Sequence, residues 1–309
     1  MGKLNFYAVV FCSCLAWSAA FIIGGTLVAP GTMFTTMVVG FLAVAALMLP
    51  LGSKNLKNLM DEEVLQSGVL LGVLAGALGL GCLLGALKYI SPVWVLGACL
   101  AAPIISSVIG GREMTGFKAL ALVLAYMGLV TMTGAAELGA GQVAGLTLSG
   151  LGALTLGLGL SHYRVKGQGR SGLGLAFWAA IGAGLFLIPA ALHETAGLMS
   201  WSWGQFISAV GLALALLIGF AGWAWLVKNH KRGETDSLVL AATPMLGLIF
   251  LVVTGGLEAG MVEIVGMLML GLALGLTGKK DNRPAVQSQR PIEFARPTLQ
   301  PAEEHRQVA

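Results

Sequence analysis

Leu65-Gln66-Ser67-Gly68-Val69-Leu70-Leu71-Gly72-Val73-Leu74-Ala75-Gly76-Ala77-Leu78-Gly79-Leu80-Gly81-Cys82-Leu83-Leu84-Gly85-Ala86-Leu87 runs for 23 residues without one acidic or basic side chain. About 20 mostly apolar residues suffice for a helix to cross the ~30 Å hydrocarbon core of a bilayer. The stretch therefore predicts a membrane span, and Lys88 closes it. Gly68, Gly72 and Gly76, then Gly81 and Gly85, recur at four-residue spacing. Small residues on one helix face let neighbouring helices approach closely in lipid, so close packing is expected here. Gly79-Leu80-Gly81 follows no strand and lies inside the span, which excludes a dinucleotide-binding loop.

The same reading extends in both directions. Toward the N-terminus it gives Asn5–Val28 and Met33–Leu51. Toward the C-terminus it gives Pro92–Ile109, Phe117–Thr133, Val143–Tyr163, Gly172–Leu192, Gln205–Val227, Ser237–Val253 and Gly260–Thr277. With Leu65–Leu87 that makes ten spans. The gaps between them alternate in charge. Lys3, then Lys54 and Lys57, then Arg112 and Lys118, then Arg164, Lys166 and Arg170, then Lys228, Lys231 and Arg232 occupy every second gap. The tail carries the rest, and only Lys88 falls on the other side, so 17 of 18 basic residues share one face. Cytoplasmic loops retain Lys and Arg. The expectation is a multi-pass protein of the cell inner membrane with both termini cytoplasmic.

Composition agrees. The chain is 57% hydrophobic and 10% charged, with mean hydropathy +0.86, whereas soluble domains carry about 25% charged residues. The net charge of +4 comes from loop anchors and a tail. It forms no basic patch interleaved with aromatics, so no nucleic-acid partner is expected. Cys12, Cys14, Cys82 and Cys99 lie inside apolar runs without metal-ligand spacing, and buried free thiols are expected. Met1 to Ala20 has the basic start and small residues of a signal peptide, but its apolar run continues to Val28. It reads as an uncleaved first helix. Beyond Lys279, Pro284, Pro291, Pro297 and Pro301 punctuate a polar stretch, read as a disordered cytoplasmic tail.

The fold class is thus an all-α membrane protein, ten transmembrane helices in two halves: 1–137, 138–278, then the 279–309 tail. Two five-span halves in one chain must face opposite ways across the bilayer, the inverted-repeat arrangement of many secondary transporters. The fourth span of each half carries an internal proline, in Ala101-Ala102-Pro103 and in Ala242-Thr243-Pro244. Each is followed by a glycine pair and a glutamate: Gly110-Gly111-Arg112-Glu113 and Gly255-Gly256-Leu257-Glu258.

These segments, together with Leu15-Ala16-Trp17-Ser18 and Ala86-Leu87-Lys88-Tyr89-Ile90-Ser91-Pro92, resemble the EamA-like transporters of the drug/metabolite transporter superfamily. The resemblance covers about residues 5–277 and rests on motif order and five-plus-five topology. The sixth span departs from it, because Leu156–His162 lacks a tryptophan that would echo Trp17. The resemblance implies a carrier of a small metabolite, amino acid or xenobiotic, working outward rather than inward.

Candidate site residues follow from position. Trp94, Trp201, Trp203, Trp223 and Trp225 fall near span ends, where membrane tryptophans collect. Trp17 lies near the middle of its span, and Ser13 four residues earlier shares its face. A buried indole N–H wants a partner, so Trp17 and Ser13 are candidates for a substrate pocket wall. Pro103 and Pro244 break helices at matching places, the best sequence pointer to a transport site, and Thr243 sits beside the second. Lys88 and Tyr89 stand at the external mouth, where a lysine can also simply snorkel. Glu263 is the deepest carboxylate and the candidate for proton coupling. Glu113 and Glu258 fit helix caps. Ser106, Tyr126 and Thr131 could line a polar path, although membrane Ser and Thr commonly satisfy a nearby carbonyl.

Without a Walker A motif, HExxH or an arguable triad, the chain is not expected to be an enzyme, and no cofactor or metal is expected. The scarcity of interior cations argues against highly charged cargo. A small neutral, zwitterionic or amphipathic molecule fits better. The partners are that substrate and the lipid bilayer, with room for a homodimer. The alternative is a non-transporting membrane scaffold or subunit.

Overall fold

The computed structural model describes residues 3–28, 32–52, 60–99, 139–163, 171–194 and 202–229, with scattered positions between 102 and 131, at 166, and between 243 and 276. The described residues are helical or in short turns, with no strand among them. The helices are α1 (Lys3–Val28), α2 (Met33–Gly52), α3 (Glu62–Ala86), α4 (Pro92–Ala98), α5 (Ala140–His162), α6 (Gly172–Leu192) and α7 (Trp203–Asn229). Six of these, all but α4, are long and apolar enough to cross a membrane. The described residues in the other expected spans are helical as well.

Polar caps set the helix starts. Asp61 accepts the Glu63 N–H at 3.1 Å, and Glu62 and Glu63 in the first turn favour the positive end of the α3 dipole. Ser171 accepts the Gly174 N–H at 3.2 Å to begin α6. The Gly139 N–H donates to Gln142 at 3.1 Å ahead of α5. Ser202 and Gln205 form a reciprocal capping box at α7: the Ser202 N–H donates to Gln205 Oε1 at 2.8 Å and the Gln205 N–H to Ser202 Oγ at 3.3 Å. Hence α3, α5 and α7 start two or three residues before their apolar runs.

The middle of α3, Gly72–Leu80, is π-helical. It lies where the neighbouring backbones press closest. A Cβ on Gly72 would collide with the backbone of Ala179 on α6. One on Gly79 would sit 3.1 Å from the Leu156 nitrogen on α5. Gly68 and Gly76 meet Trp178 and Ala183 on the same α6 face, which accounts for that part of the glycine series. Gly81 and Gly85 depart from the expectation: a Cβ there would meet only side-chain atoms at 3.7 Å, an ordinary distance. α3 is also the most enclosed of the six long helices, with 61% of its apolar window buried against 28% for α7.

Contacts fix the relative directions. Gly68, Gly72 and Gly76 meet Leu175, Ala179 and Ala183 in ascending order, so α3 and α6 run parallel. Ala75, Gly79 and Leu83 meet Gly159, Leu156 and Gly152 in descending order, so α3 and α5 are antiparallel. α1 runs antiparallel to α7, with Ser13 against Gly222 and Trp17 against Gly219. α2 runs antiparallel to α6, with Phe34 bonded to Glu194 and Leu42 against Gly184. Ile90 meets Gly145, and Ala102 and Ile105 meet Gly157, so the fourth span runs parallel to α5.

Tyr7, Phe11 and Leu15 form an exposed apolar stripe along α1, while Val10, Cys14, Trp17 and Phe21 face the core. Cys14 and Cys99 are buried and in no disulfide, but Cys82 is only half-buried and Cys12 is exposed, against expectation. It lies beside Phe11 on the outer face. An apolar run of sequence does not say which side of the helix each residue takes.

Candidate functional site

The helices line a partly open cavity to which every long described helix contributes. Trp17 comes from α1 and Phe41 and Val44 from α2. The π-helical stretch of α3 adds Gly72, Ala75, Gly76 and Leu80. Leu156 and Leu160 come from α5, Ala176, Ala179 and Ala180 from α6, and Ala213, Leu216, Leu217 and Phe220 from α7. It holds about 70 Å³ reachable by the centre of a water-sized sphere. A single water needs roughly 10–15 Å³ on this measure. The space therefore takes several waters or a small organic group.

Among the described residues, every lining side chain is aliphatic or aromatic. Trp17 is 5% exposed, and its Nε1–H is buried without an acceptor. The pyrrole edge of the ring rests on α7 where Gly219 leaves room for it; a Cβ there would lie 2.7 Å from Nε1. Leaving a buried donor unmet costs about 1–3 kcal/mol. Among the described residues, no charged side chain lines the cavity.

The Leu156 backbone lies against Gly79 of α3, and the Trp17 ring lies against Gly219 of α7. Both line the space.

The expected site residues do not all come together here. Ser13 faces α7 at Gly222, one turn before Trp17, but its hydroxyl donates to the Val9 carbonyl at 2.7 Å and it does not line the cavity. Lys88 and Tyr89 are exposed in the turn after α3, away from the cavity lining, with the Lys88 ammonium 5.7 Å from the Tyr89 ring centre. Thr243 is buried, and its carbonyl accepts from Ser18 at 2.9 Å. Pro103, Pro244, Glu263, Tyr126, Glu113 and Glu258 lie outside the described residues. Thr131 donates to the Met127 carbonyl at 2.8 Å, the local bond expected of a membrane threonine. Ser106 is fully buried with no partner for its hydroxyl.

Three features escape the sequence reading. Ser18 shares its hydroxyl between the Cys14 and Thr243 carbonyls at 2.8 and 2.9 Å, tying α1 to Thr243. Glu194, at the end of α6, clasps the start of α2. Its carboxylate accepts the Phe34 and Thr35 N–H groups, each at 2.7 Å, and the Thr35 hydroxyl at 2.6 Å. Lastly, Pro50 and Pro189 each occupy the eighteenth residue of their helices, α2 and α6. That repeat was visible in the sequence, in Leu47-Met48-Leu49-Pro50 and Phe186-Leu187-Ile188-Pro189. The Glu194 clasp was not, because nothing in a sequence brings residues about 160 positions apart together.

No family model matches the sequence, and no curated protein does. A solved structure named only "Crystal structure of protein" aligns with 89% of this chain and 96% of its own, at a TM-score of 0.68 and 17% identity. At that identity the likeness speaks for the fold alone.

Proposed function

We propose that the chain is a secondary carrier of the EamA-like drug/metabolite type, set in a cell inner membrane with both termini cytoplasmic. Two inverted five-helix repeats would enclose the Trp17 cavity, and rocking between them would expose it to either side in turn. The cargo is a small neutral, zwitterionic or amphipathic molecule, moved outward. The observation that carries this reading is the cavity itself: an apolar space among the helices, walled by helices from both halves.

The directions of the helices support the inverted arrangement. The fourth span and α5 run parallel and are consecutive among the described helices. An odd number of crossings must therefore join them, and the apolar run 117–133 supplies one. α1 and α5 then begin on opposite faces, as the alternation of basic loops requires. Trp17 over Gly219 and Leu156 over Gly79 form equivalent pairs under that symmetry, and Pro50 and Pro189 occupy equivalent positions.

Cysteine labelling tests the topology. Ala140→Cys and Lys279→Cys should react from opposite faces of the membrane; reaction from the same face would remove the repeat. Growth of cells with and without the protein on amino acids and toxic analogues should reveal the cargo. Trp17→Ala should then lower transport severalfold while the amount of inserted protein stays constant. An unchanged phenotype would favour the scaffold. Ion coupling is read in liposomes: a pH-gradient-dependent rate abolished by Glu263→Gln would assign it to that residue, and equal rates with and without a gradient would mean a facilitator.

A further inference from the structure

We infer that Glu194 is a releasable latch between the end of α6 and the start of α2, and that Thr32 is the stand-in cap that holds the first turn of α2 when the latch is open. On the carrier reading above, on which this part rests, the latch closes the outer side of the cavity.

The start of α2 has two caps for one set of donors. Thr32 immediately precedes the helix, and its carbonyl accepts the Thr36 N–H at 2.8 Å, the first bond of the helix. From that position a threonine hydroxyl ordinarily accepts the N–H of the second or third helical residue. Those residues are Phe34 and Thr35, and both N–H groups donate to Glu194 instead, each at 2.7 Å. The Thr35 hydroxyl adds a third bond to the same carboxylate. The Thr32 hydroxyl is left buried without a partner. A charged acceptor makes the stronger bond, so Glu194 holds the donors while it is within reach. The starts of α3, α6 and α7 are capped differently, each by its own preceding residue, Asp61, Ser171 and Ser202.

The latched arrangement carries a cost of its own. Thr36, one turn into α2, is fully buried, and its hydroxyl is also unmet. Opening would give water to Thr36 and an N–H to Thr32, against the loss of the three bonds to Glu194. Two arrangements of comparable free energy are what a latch requires and a permanent tie does not. On α6, Pro189 cannot donate to the Leu185 carbonyl, so the last turn before Glu194 is held by one bond fewer. Farther along, the same two helices wall the cavity, α2 with Phe41 and Val44 and α6 with Ala176, Ala179 and Ala180. Parting their ends widens the way to it from that face.

The test uses the full chain in lipid, with two readouts. The first is amide hydrogen exchange at Phe34 and Thr35. Glu194→Ala removes the remote cap and leaves Thr32 to protect one amide. Adding Thr32→Val should then speed exchange of that turn about fivefold further, the worth of one N-cap. Thr32→Val alone should speed nothing, because the hydroxyl has no partner in the latched state. The second readout is labelling of Thr36→Cys by a charged, membrane-impermeant maleimide applied to either face of sealed vesicles, less the labelling of protein without that thiol. Glu194→Ala should raise labelling from the outer face roughly tenfold or more. If Glu194→Ala does not accumulate, Glu194→Gln, which keeps one acceptor, should produce the same changes in smaller measure. No added exchange from Thr32→Val in the Glu194 variant, faster exchange in Thr32→Val alone, or no gain in labelling from any face would each overturn the inference. A gain from both faces at once would mean unfolding rather than opening and would overturn it too. A gain from the inner face alone would uphold the latch and remove the topology of the carrier reading.

Discussion

Glu194 and Trp17 are both side chains with polar atoms placed among apolar helices, and they are treated in opposite ways. The Glu194 carboxylate joins the end of α6 to the first turn of α2 and accepts from two backbone N–H groups and one hydroxyl. A helix N-terminus presents free N–H groups and a positive dipole end, so a carboxylate there is stabilised twice over. The Trp17 indole is at least as deeply placed, yet its N–H has no acceptor. One polar group fastens helices together. The other is packed against Gly219 of α7 with its N–H unmet. Hydrogen-bonding capacity that is satisfied within the fold contributes to stability, and capacity left unmet in the interior costs it.

The sharpest way to break this contrast is Glu194→Ala. Its loss strands two N–H donors at a partly buried helix start, and we expect a stability loss of about 2–3 kcal/mol, read as a lowered unfolding midpoint in detergent. Thr35→Val removes one of the three donors and keeps the shape, with an expected loss of about 1 kcal/mol in the same assay. Trp17→Phe removes a donor that has nothing to lose. Its cost should come only from ring volume and stay under about 1.5 kcal/mol, as for a conservative apolar exchange. If Trp17→Phe proved more damaging than Glu194→Ala, the indole would have an internal role and the contrast would fail. The smallest effect is expected at Gly211→Ala on α7, where a Cβ would meet open space. Its midpoint should move by no more than about 0.5 kcal/mol. This separates glycines that only sit in a helix from Gly219, which gives Trp17 its place.

Much of the architecture was legible in the sequence, for reasons that can be named. Gly172–Leu192 matches α6 end to end. Hydrocarbon thickness sets the length of an apolar run, and Ser171 marks its start. Gly68, Gly72 and Gly76 announced a close helix contact because only glycine permits it. Trp17 stood out because the other tryptophans lie nearer the span ends. Less could be read at Lys88 and Tyr89, which proved to be exposed in a turn, or at Cys12, which faces outward. In a soluble helix the buried side is the apolar one, and its period shows in the sequence. In a membrane helix the outward side is apolar too. On α1, Phe11 and Leu15 point out while Cys14 and Trp17 point in, and hydrophobicity does not tell them apart.

By itself, then, the sequence determined where the chain can cross a bilayer and which ends of the crossings carry positive charge, because both depend on the local cost of moving residues through hydrocarbon. Which helices touch, that Glu194 reaches Phe34 and Thr35, that α3 takes π-helical form between α5 and α6, and that Trp17 and Leu156 face one cavity were decided by the tertiary structure alone. Close packing between apolar helices depends on the matching of shapes across distant segments, and a linear pattern of polarity carries no record of that match.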